Sequence, residues 1–250
     1  MMRVFTMARG GALWLSLAGT LAAASAGWAS PDVGRLVTGR TTYPAGSWIL
    51  DAYSDYSLAR LSDGSADQFQ FTGEAEWGAT DRLSLAVGLT TTQARRDLVA
   101  PGRAILEARY RVLDRPFQLA PVVEFKPSLQ GESSEWEVGV EALKNRRAYS
   151  LLLIYEGELE EEDGARRFAS HLTAGPFFRF GLQGGAGLLL NLEPERVRTL
   201  SVLLGGAVNP HVFVALEPRF ALSDAAPDFG IGIQVHLWSG TYGLGSWLFE

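Results

Sequence analysis

Apolar and polar residues alternate with a period of two along most of the chain from residue 48 onwards. This alternation predicts β-strands that have one face in an apolar phase and the other in a polar phase. Between residues 68 and 77, for example, Phe71 and Trp77 fall on one face, whereas Glu74 and Glu76 fall on the other. The pattern therefore indicates an all-β protein whose strands separate two environments.

The alternation predicts twelve strands, an even number, each of about 10 to 13 residues. They cover residues 48–57, 66–78, 82–91, 102–113, 117–127, 134–144, 148–158, 166–178, 180–192, 197–208, 211–222 and 228–238. A tilted strand that crosses a bilayer needs ~9–11 residues, whereas a strand of a soluble protein usually has ~5–6. The predicted strands have the length that a membrane requires.

The predicted connections alternate between long and short. The odd-numbered connections hold about four to ten residues, and the even-numbered ones hold about one to three. Outer-membrane barrels combine short periplasmic turns with longer outside loops, and a closed barrel pairs every backbone group that hydrocarbon cannot solvate. We therefore predict an up-and-down antiparallel transmembrane β-barrel of about twelve strands, with its N-terminus in the periplasm.

The N-terminus has the composition of an export signal. Arg3 and Arg9 precede an apolar run, and small residues follow it, so that cleavage is expected after Ala26 or Ala29. We predict a signal peptide over residues 1–26. A periplasmic segment over residues 27–46, a barrel over residues 47–238 and a tail or extra strand over residues 239–250 are expected to follow. The predicted location is the outer membrane of a diderm bacterium.

Composition narrows the possible functions. Hydrophobic residues make up 47% of the chain and charged residues 20%, which excludes a disordered protein. The absence of cysteine excludes disulfides, thiolate zinc sites and a cysteine nucleophile. A net charge of −6 with only two lysines, Lys126 and Lys144, argues against a nucleic-acid partner. No cofactor and no metal site are expected.

The start of the predicted barrel carries a family resemblance. A lead-in over residues 36–43, the turn Pro44-Ala45-Gly46 and a first strand with residues 51–57 resemble a large bacterial group of outer-membrane barrels. That group is named for the meta-pathway of phenol degradation, or its members are simply called transporters. The hairpin at residues 81–89 and the strand ending at Trp238 are similar to it too. The resemblance implies an outer-membrane channel or transporter of small compounds, hydrophobic ones included, and supplies no site residues.

The polar faces of the predicted strands offer the candidate functional surface. The fourth strand places Arg103, Arg109 and Arg111 on one face, between strands rich in carboxylates. The residues expected to line the lumen are Asp51, Asp55, Glu74, Glu76, Arg103, Glu107, Arg109, Arg111, Glu124, Lys126, Glu135, Glu137 and Glu141. Charged rings and ladders of this kind set solute preference in water-filled pores.

Three functions are compatible with this pattern. The first is a narrow channel or transporter for small solutes with a charged lumen. The second is a non-conducting structural or assembly barrel whose lumen is plugged by side-chain pairing. The third is a soluble exported barrel or sandwich. For the membrane barrel, the expected partners are outer-membrane lipid, the barrel-insertion machinery during biogenesis, and a small-molecule solute.

An enzyme is not expected. His171 is adjacent to Ser170 on one strand, so the two side chains point to opposite faces and cannot form a catalytic dyad. His211 and His236 are interpreted as structural residues. The acidic run at residues 156–164 lacks the spacing of a calcium loop and is interpreted as a solvated outside loop.

Overall fold

The structure is a computed structural model, and it describes residues 33–58, 68–94, 100–130, 134–162, 165–180, 184–192, 198–224, 226 and 229–240. These residues form one short helix, α1 (Val33–Thr38), and twelve strands. The strands are β1 (Trp48–Leu58), β2 (Gln68–Thr80), β3 (Leu83–Ala94), β4 (Ala100–Tyr110), β5 (Gln118–Lys126), β6 (Glu135–Asn145), β7 (Tyr149–Glu162), β8 (Ala165–Phe180), β9 (Gly184–Leu192), β10 (Arg198–Asn209), β11 (Val212–Ala221) and β12 (Phe229–Trp238). All twelve predicted strands are present, with ends that lie within about four residues of the predicted ones.

The twelve strands form one closed barrel. Each strand pairs antiparallel with its neighbours in sequence, and β1 pairs with β12 to complete the circle. In that closing pair Asp51 lies opposite His236. The predicted up-and-down barrel is therefore confirmed. A two-sheet sandwich, one of the alternatives, is wrong, because closure gives both terminal strands a partner.

The outer surface of the barrel carries a band of exposed apolar side chains. It includes Leu50, Phe71, Val87, Leu106, Val123, Val138, Leu153, Leu188, Leu204, Leu216 and Ile233. Soluble monomers rarely expose apolar patches of this extent, so a soluble barrel does not fit. Exposed aromatic residues such as Trp48, Trp77 and Tyr110 lie at strand ends, as interfacial girdles do. Among the described residues, no helix is long and apolar enough to cross a membrane.

Helix α1 lies inside the barrel. Val33, Leu36 and Val37 are fully buried, and they pack in one apolar cluster with side chains from the strands. These partners include Ile49, Leu143, Leu152, Phe177, Leu189, Leu203, Phe213 and Trp238. Most of them lie near the strand ends that the even-numbered connections join. We call this end the helix side, and the end with the odd-numbered connections the loop side.

Helix α1 is followed by Gly39, at a position where the backbone and the neighbouring wall favour glycine. Gly39 has a φ of 66°, and its N–H donates to the carbonyl of Arg35 at 2.7 Å. A Cβ at this position would lie 2.2 Å from Nδ2 of Asn145 on β6. Both the left-handed backbone and the close wall therefore favour glycine. The chain then continues through buried Thr41 and Tyr43 to the start of β1.

Several sequence predictions lie partly outside the described residues. The signal peptide over residues 1–26 and residues 241–250 of the tail are among them. From the segment predicted to be periplasmic, residues 27–46, the structure describes residues 33–46 and buries residues 33–39 and 41–43 within the barrel. The predicted one-residue turn at Arg179 is wrong, because β8 continues through this residue to Phe180. Pairing with β9, in which Arg179 lies opposite Gly185 and Phe180 opposite Gly184, carries the strand past the predicted turn.

Candidate functional site

Arg35 is the charged residue of α1, and it lies in a box of carboxylates. Its Nη2 is 2.8 Å from Oε2 of Glu76, and its Nη1 is 3.1 Å from Oε2 of Glu141. Oε1 of Glu107 lies 3.7 Å from Nη2. These three acids belong to β2, β6 and β4, so one helix side chain connects three strands. Arg35 is only 2% exposed, and a buried guanidinium needs such partners.

Arg109 of β4 shares the same three carboxylates. Its Nη1 is 2.9 Å from Glu107 and 3.5 Å from Glu76, and its Nε is 3.3 Å from Glu141. Two guanidinium groups therefore alternate with three carboxylates in a buried network, which we call the helix-side cluster: Arg35, Glu76, Glu107, Arg109 and Glu141. The removal of one member would leave buried charges without compensation.

Gln118 at the start of β5 holds the chain that follows the helix. Its Oε1 accepts hydrogen bonds from N–H of Thr41 at 2.9 Å and from Oγ1 of Thr41 at 3.1 Å. Its Nε2 donates to the carbonyl of Gly39 at 3.0 Å. One buried amide thus satisfies backbone groups of an irregular segment that no strand pairs.

Further hydrogen bonds anchor the segment to the other side of the barrel. The carbonyl of Leu36 accepts from Oγ of Ser150 at 3.2 Å and from Nη2 of Arg179 at 3.3 Å. The N–H of Tyr43 donates to Oγ of Ser84 at 3.0 Å. We call residues 33–43 the plug segment, because they fill the interior at the helix side and contact strands around much of its circumference.

A second group of charges lies nearer the loop side, and we call it the loop-side cluster. It consists of Arg103, Glu124, Lys126, Glu135, Glu137, Glu156, Glu158 and His171 from strands β4 to β8. Lys126 Nζ lies 2.5 Å from Oε2 of Glu137 and 3.5 Å from Oε1 of Glu124. Arg103 pairs with Glu135. His171 Nε2 lies 3.6 Å from Oε2 of Glu158.

The charges of β1, β11 and β12 form separate pairs. Arg219 pairs with Asp55 and donates a hydrogen bond to the hydroxyl of Tyr53 at 2.8 Å. His236 pairs with Asp51. The contact of His236 spans the closing pair of β1 and β12, and the contacts of Arg219 link β1 to β11.

The interior of β8 to β10 carries a neutral hydrogen-bond network. Asn191 Oδ1 accepts from Oγ1 of Thr173 at 2.9 Å. Its Nδ2 donates to Oγ of Ser201 at 3.1 Å and to Oγ1 of Thr199 at 3.3 Å. All four side chains are buried. This part of the interior is polar without carrying charge.

The predicted lumen residues separate into groups. Glu76, Glu107, Arg109 and Glu141 meet in the helix-side cluster, and Glu74 lies beside it, with a carboxylate oxygen within 4.8 Å of those of Glu76 and Glu107. The loop-side cluster collects Arg103, Glu124, Lys126, Glu135 and Glu137.

The remaining three predicted residues lie elsewhere. Asp51 and Asp55 were predicted to line the lumen. They pair with His236 on β12 and with Arg219 on β11. Closure of the barrel pairs β12 with β1 and places β11 on the other side of β12. Arg111 follows the end of β4, and its Nε lies 2.9 Å from Oδ1 of Asp114 in the connection to β5.

Sequence reasoning missed several members of these clusters. Arg35 lies in the segment over residues 27–46 that is predicted to be periplasmic, and nothing local in the sequence indicates that it enters the barrel. Glu156 and Glu158 fall both in the predicted strand over residues 148–158 and in the acidic run that is interpreted as a solvated loop. The loop interpretation is wrong for them, because β7 continues to Glu162 and leaves them partly buried. The period-two alternation from Ser150 through Glu158 favours the strand and places both side chains on its inner face.

Several solved structures share the architecture of this barrel. An outer-membrane channel from Pseudomonas putida F1 matches with a TM-score of 0.59 and 12% identity, over 79% of this chain and 97% of that one. The KdgM porin matches with a TM-score of 0.57 and 12% identity, over 76% and 98%. The fold is that of an outer-membrane β-barrel. The NanC porin is similar too, with a TM-score of 0.56, 10% identity and coverage of 78% and 100%.

At this level of identity the likeness concerns the outer-membrane barrel fold alone. No protein-family model matches the sequence, and no curated protein matches it either. The resemblance to the phenol-degradation group therefore stays a prediction. The similar structures are of channels and porins rather than enzymes. The function has to be argued from the interior of this barrel.

Proposed function

We propose that the protein is a passive channel for small solutes in the outer membrane of a diderm bacterium, with the barrel interior as the solute path. The observation that carries this proposal is the division of the closed barrel into an apolar outer face and an inner face rich in charged and hydroxyl side chains. An inner face of this kind favours water and polar solutes over lipid.

The plug segment is the closing element of the proposed channel. It fills the helix side, where Leu36, Val37 and Tyr43 are fully buried. A solute that enters from the loop side therefore meets the helix-side cluster and the helix. We propose that passage requires the plug segment to shift, and that the contacts of Arg35 with Glu76 and Glu141 hold it in place.

Conductance of the folded protein in a planar bilayer tests both parts of the proposal. The protein that begins at residue 27 is compared with its Arg35→Gln variant, after a mobility shift between boiled and unboiled samples has established that each is folded. We expect small or rare current steps from the parent protein and a several-fold higher open fraction from the variant. Loss of the three ion pairs of Arg35 weakens the anchoring of the helix.

Arg82→Gln is the matched control, because Arg82 lies exposed in the turn between β2 and β3. It should leave the open fraction unchanged. If both the parent and Arg35→Gln insert as folded barrels and neither conducts, the channel proposal is wrong. If the parent already conducts as well as the variant, the channel remains and the closing role of the plug segment is wrong.

A second candidate function is a non-conducting structural or assembly barrel. The buried plug segment is the observation that favours it, since a filled interior can be a permanent feature. This candidate predicts no conductance in either protein described above. In both candidates we expect no enzymatic activity. We also expect outer-membrane lipid and the insertion machinery as partners, and a solute partner only for the channel.

A further inference from the structure

The loop-side cluster contains more acids than bases. Five carboxyl groups, those of Glu124, Glu135, Glu137, Glu156 and Glu158, face two fixed cations, Lys126 and Arg103, and one histidine. The surplus continues in the helix-side cluster, where three carboxylates face two guanidinium groups. Within the described part of the chain, a solute on this path meets an excess of negative charge.

Three of the cations, Lys126, Arg35 and Arg109, are each held by two or three carboxylates. Lys126 Nζ contacts carboxylates of two strands, and Arg35 and Arg109 each contact three carboxylates. The carboxylates of the interior thus bind ammonium and guanidinium groups of the protein itself, and these carboxylates follow one another along the barrel wall. A solute that carries such a group could exchange with a resident cation along the chain, because successive sites lie on neighbouring strands.

We propose that the barrel passes small cations, and cationic solutes with ammonium or guanidinium groups, in preference to anions, and that the loop-side cluster sets this preference. The inference rests on the proposed channel function and names its solute class. A porin of the same fold, KdgM, has been crystallised with oligogalacturonate, a polymer of carboxylates. The interior described here would repel such a solute, so the same fold would serve the opposite charge.

The reversal potential under a tenfold KCl gradient tests the preference. It is measured on the folded protein in a planar bilayer, and in the Arg35→Gln background if the parent rarely opens. We expect K⁺ to permeate several-fold more readily than Cl⁻. With argininium chloride on one side and potassium glutamate on the other, argininium should carry current and glutamate should not. A preference for Cl⁻ or glutamate overturns the inference and leaves the channel standing.

The double variant Glu137→Gln with Glu158→Gln tests whether the loop-side cluster sets the preference for K⁺ over Cl⁻. It should lower the K⁺ to Cl⁻ permeability ratio by at least half, because it removes two charges from the narrow interior. Asp81→Asn with Asp114→Asn removes two exposed carboxylates from turns and is the control. It should change the ratio little. An equal effect of the two double variants would show that the cluster is not responsible.

A folded barrel that conducts in neither background overturns the channel proposal and this inference together. Conduction without any preference between K⁺ and Cl⁻ overturns the inference alone. Should the double variant fail to fold, Glu124→Gln replaces it, since Glu124 is 3.5 Å from Lys126 and less central to the network. It should lower the ratio in the same direction by a smaller factor.

Discussion

Two parts of the same barrel wall differ sharply in their interior. Strands β2 to β7, together with His171 at the loop side of β8, carry both charged clusters, with buried glutamates such as Glu76 and Glu141 in contact with arginines. Strands β8 to β10 carry the neutral network centred on Asn191, above buried apolar side chains such as Leu189. The outer faces of the two parts do not differ in this way, because both expose leucines to the same apolar phase.

The comparison separates two roles of the alternating pattern. Alternation decides which side chains point inwards, but it does not decide whether those side chains are charged or neutral. One part of the wall has charged inner side chains, and the other has neutral ones. In the charged part every ionic group depends on several others, so that one change leaves buried charge uncompensated. In the neutral part each hydroxyl adds a single hydrogen bond of modest net value. The consequences of mutation should follow this difference.

The largest effect is expected for Arg109→Leu in the charged part. It leaves Glu76, Glu107 and Glu141 with Arg35 as the remaining arginine of the helix-side cluster. We expect a loss of about 3–5 kcal/mol in the free energy of unfolding, the usual cost of a broken buried ion pair. Urea titration of the folded protein, followed by the unboiled gel band, measures it. Arg82→Leu, in an exposed turn, should cost no more than ~0.5 kcal/mol; similar losses for the two would contradict the buried network.

An intermediate and equal effect is expected on the outer faces. Leu106 on β4 is 47% exposed and Leu188 on β9 is 48% exposed, and both lie near the middle of their strands. Replacement of either leucine by arginine should cost about 2–4 kcal/mol for the folded barrel in liposomes, because a lipid-facing charge must be solvated. The urea titration in lipid compares them directly. If only one of the two variants is destabilised, the barrel does not present a continuous lipid-facing band.

The smallest effect is expected for Ser201→Ala in the neutral part. The change removes one acceptor of Asn191, whose amide still donates to Thr199 at 3.3 Å. A loss of about 1 kcal/mol in the free energy of unfolding is expected for one neutral hydrogen bond. The same titration measures it against Ser134→Ala, an exposed serine just before β6. A loss as large as that of Arg109→Leu would remove the contrast between the two parts.

Much of the barrel could be predicted from local sequence. The alternation at residues 48–57 predicts a strand that the structure extends by one residue, to Leu58. The same rule predicted that Arg103, Glu107 and Arg109 share a face, and all three join ion pairs of the interior. The strand prediction is confirmed because strand geometry gives each side chain its direction from its parity alone.

Predictions failed where a contact joins distant parts of the chain. Arg35 and Glu141 are separated by 106 residues, and no local pattern indicates their contact. Asp55 and Arg219 are also far apart in the sequence, and they meet because closure of the barrel places β11 next but one to β1. The acidic run at residues 156–164 looked like a loop because its composition is typical of one, but pairing with β8 continued the strand.

Local alternation of apolar and polar residues was enough to predict the number of strands, their approximate ends, and which residues face the apolar phase. All three features depend on period-two alternation between neighbours in the chain. The tertiary structure alone decided which interior charges meet, that residues 33–43 enter the barrel, and that Arg35 completes a cluster of three glutamates. Those outcomes depend on closure of the sheet and on the register of strands, which set distances between residues far apart in sequence.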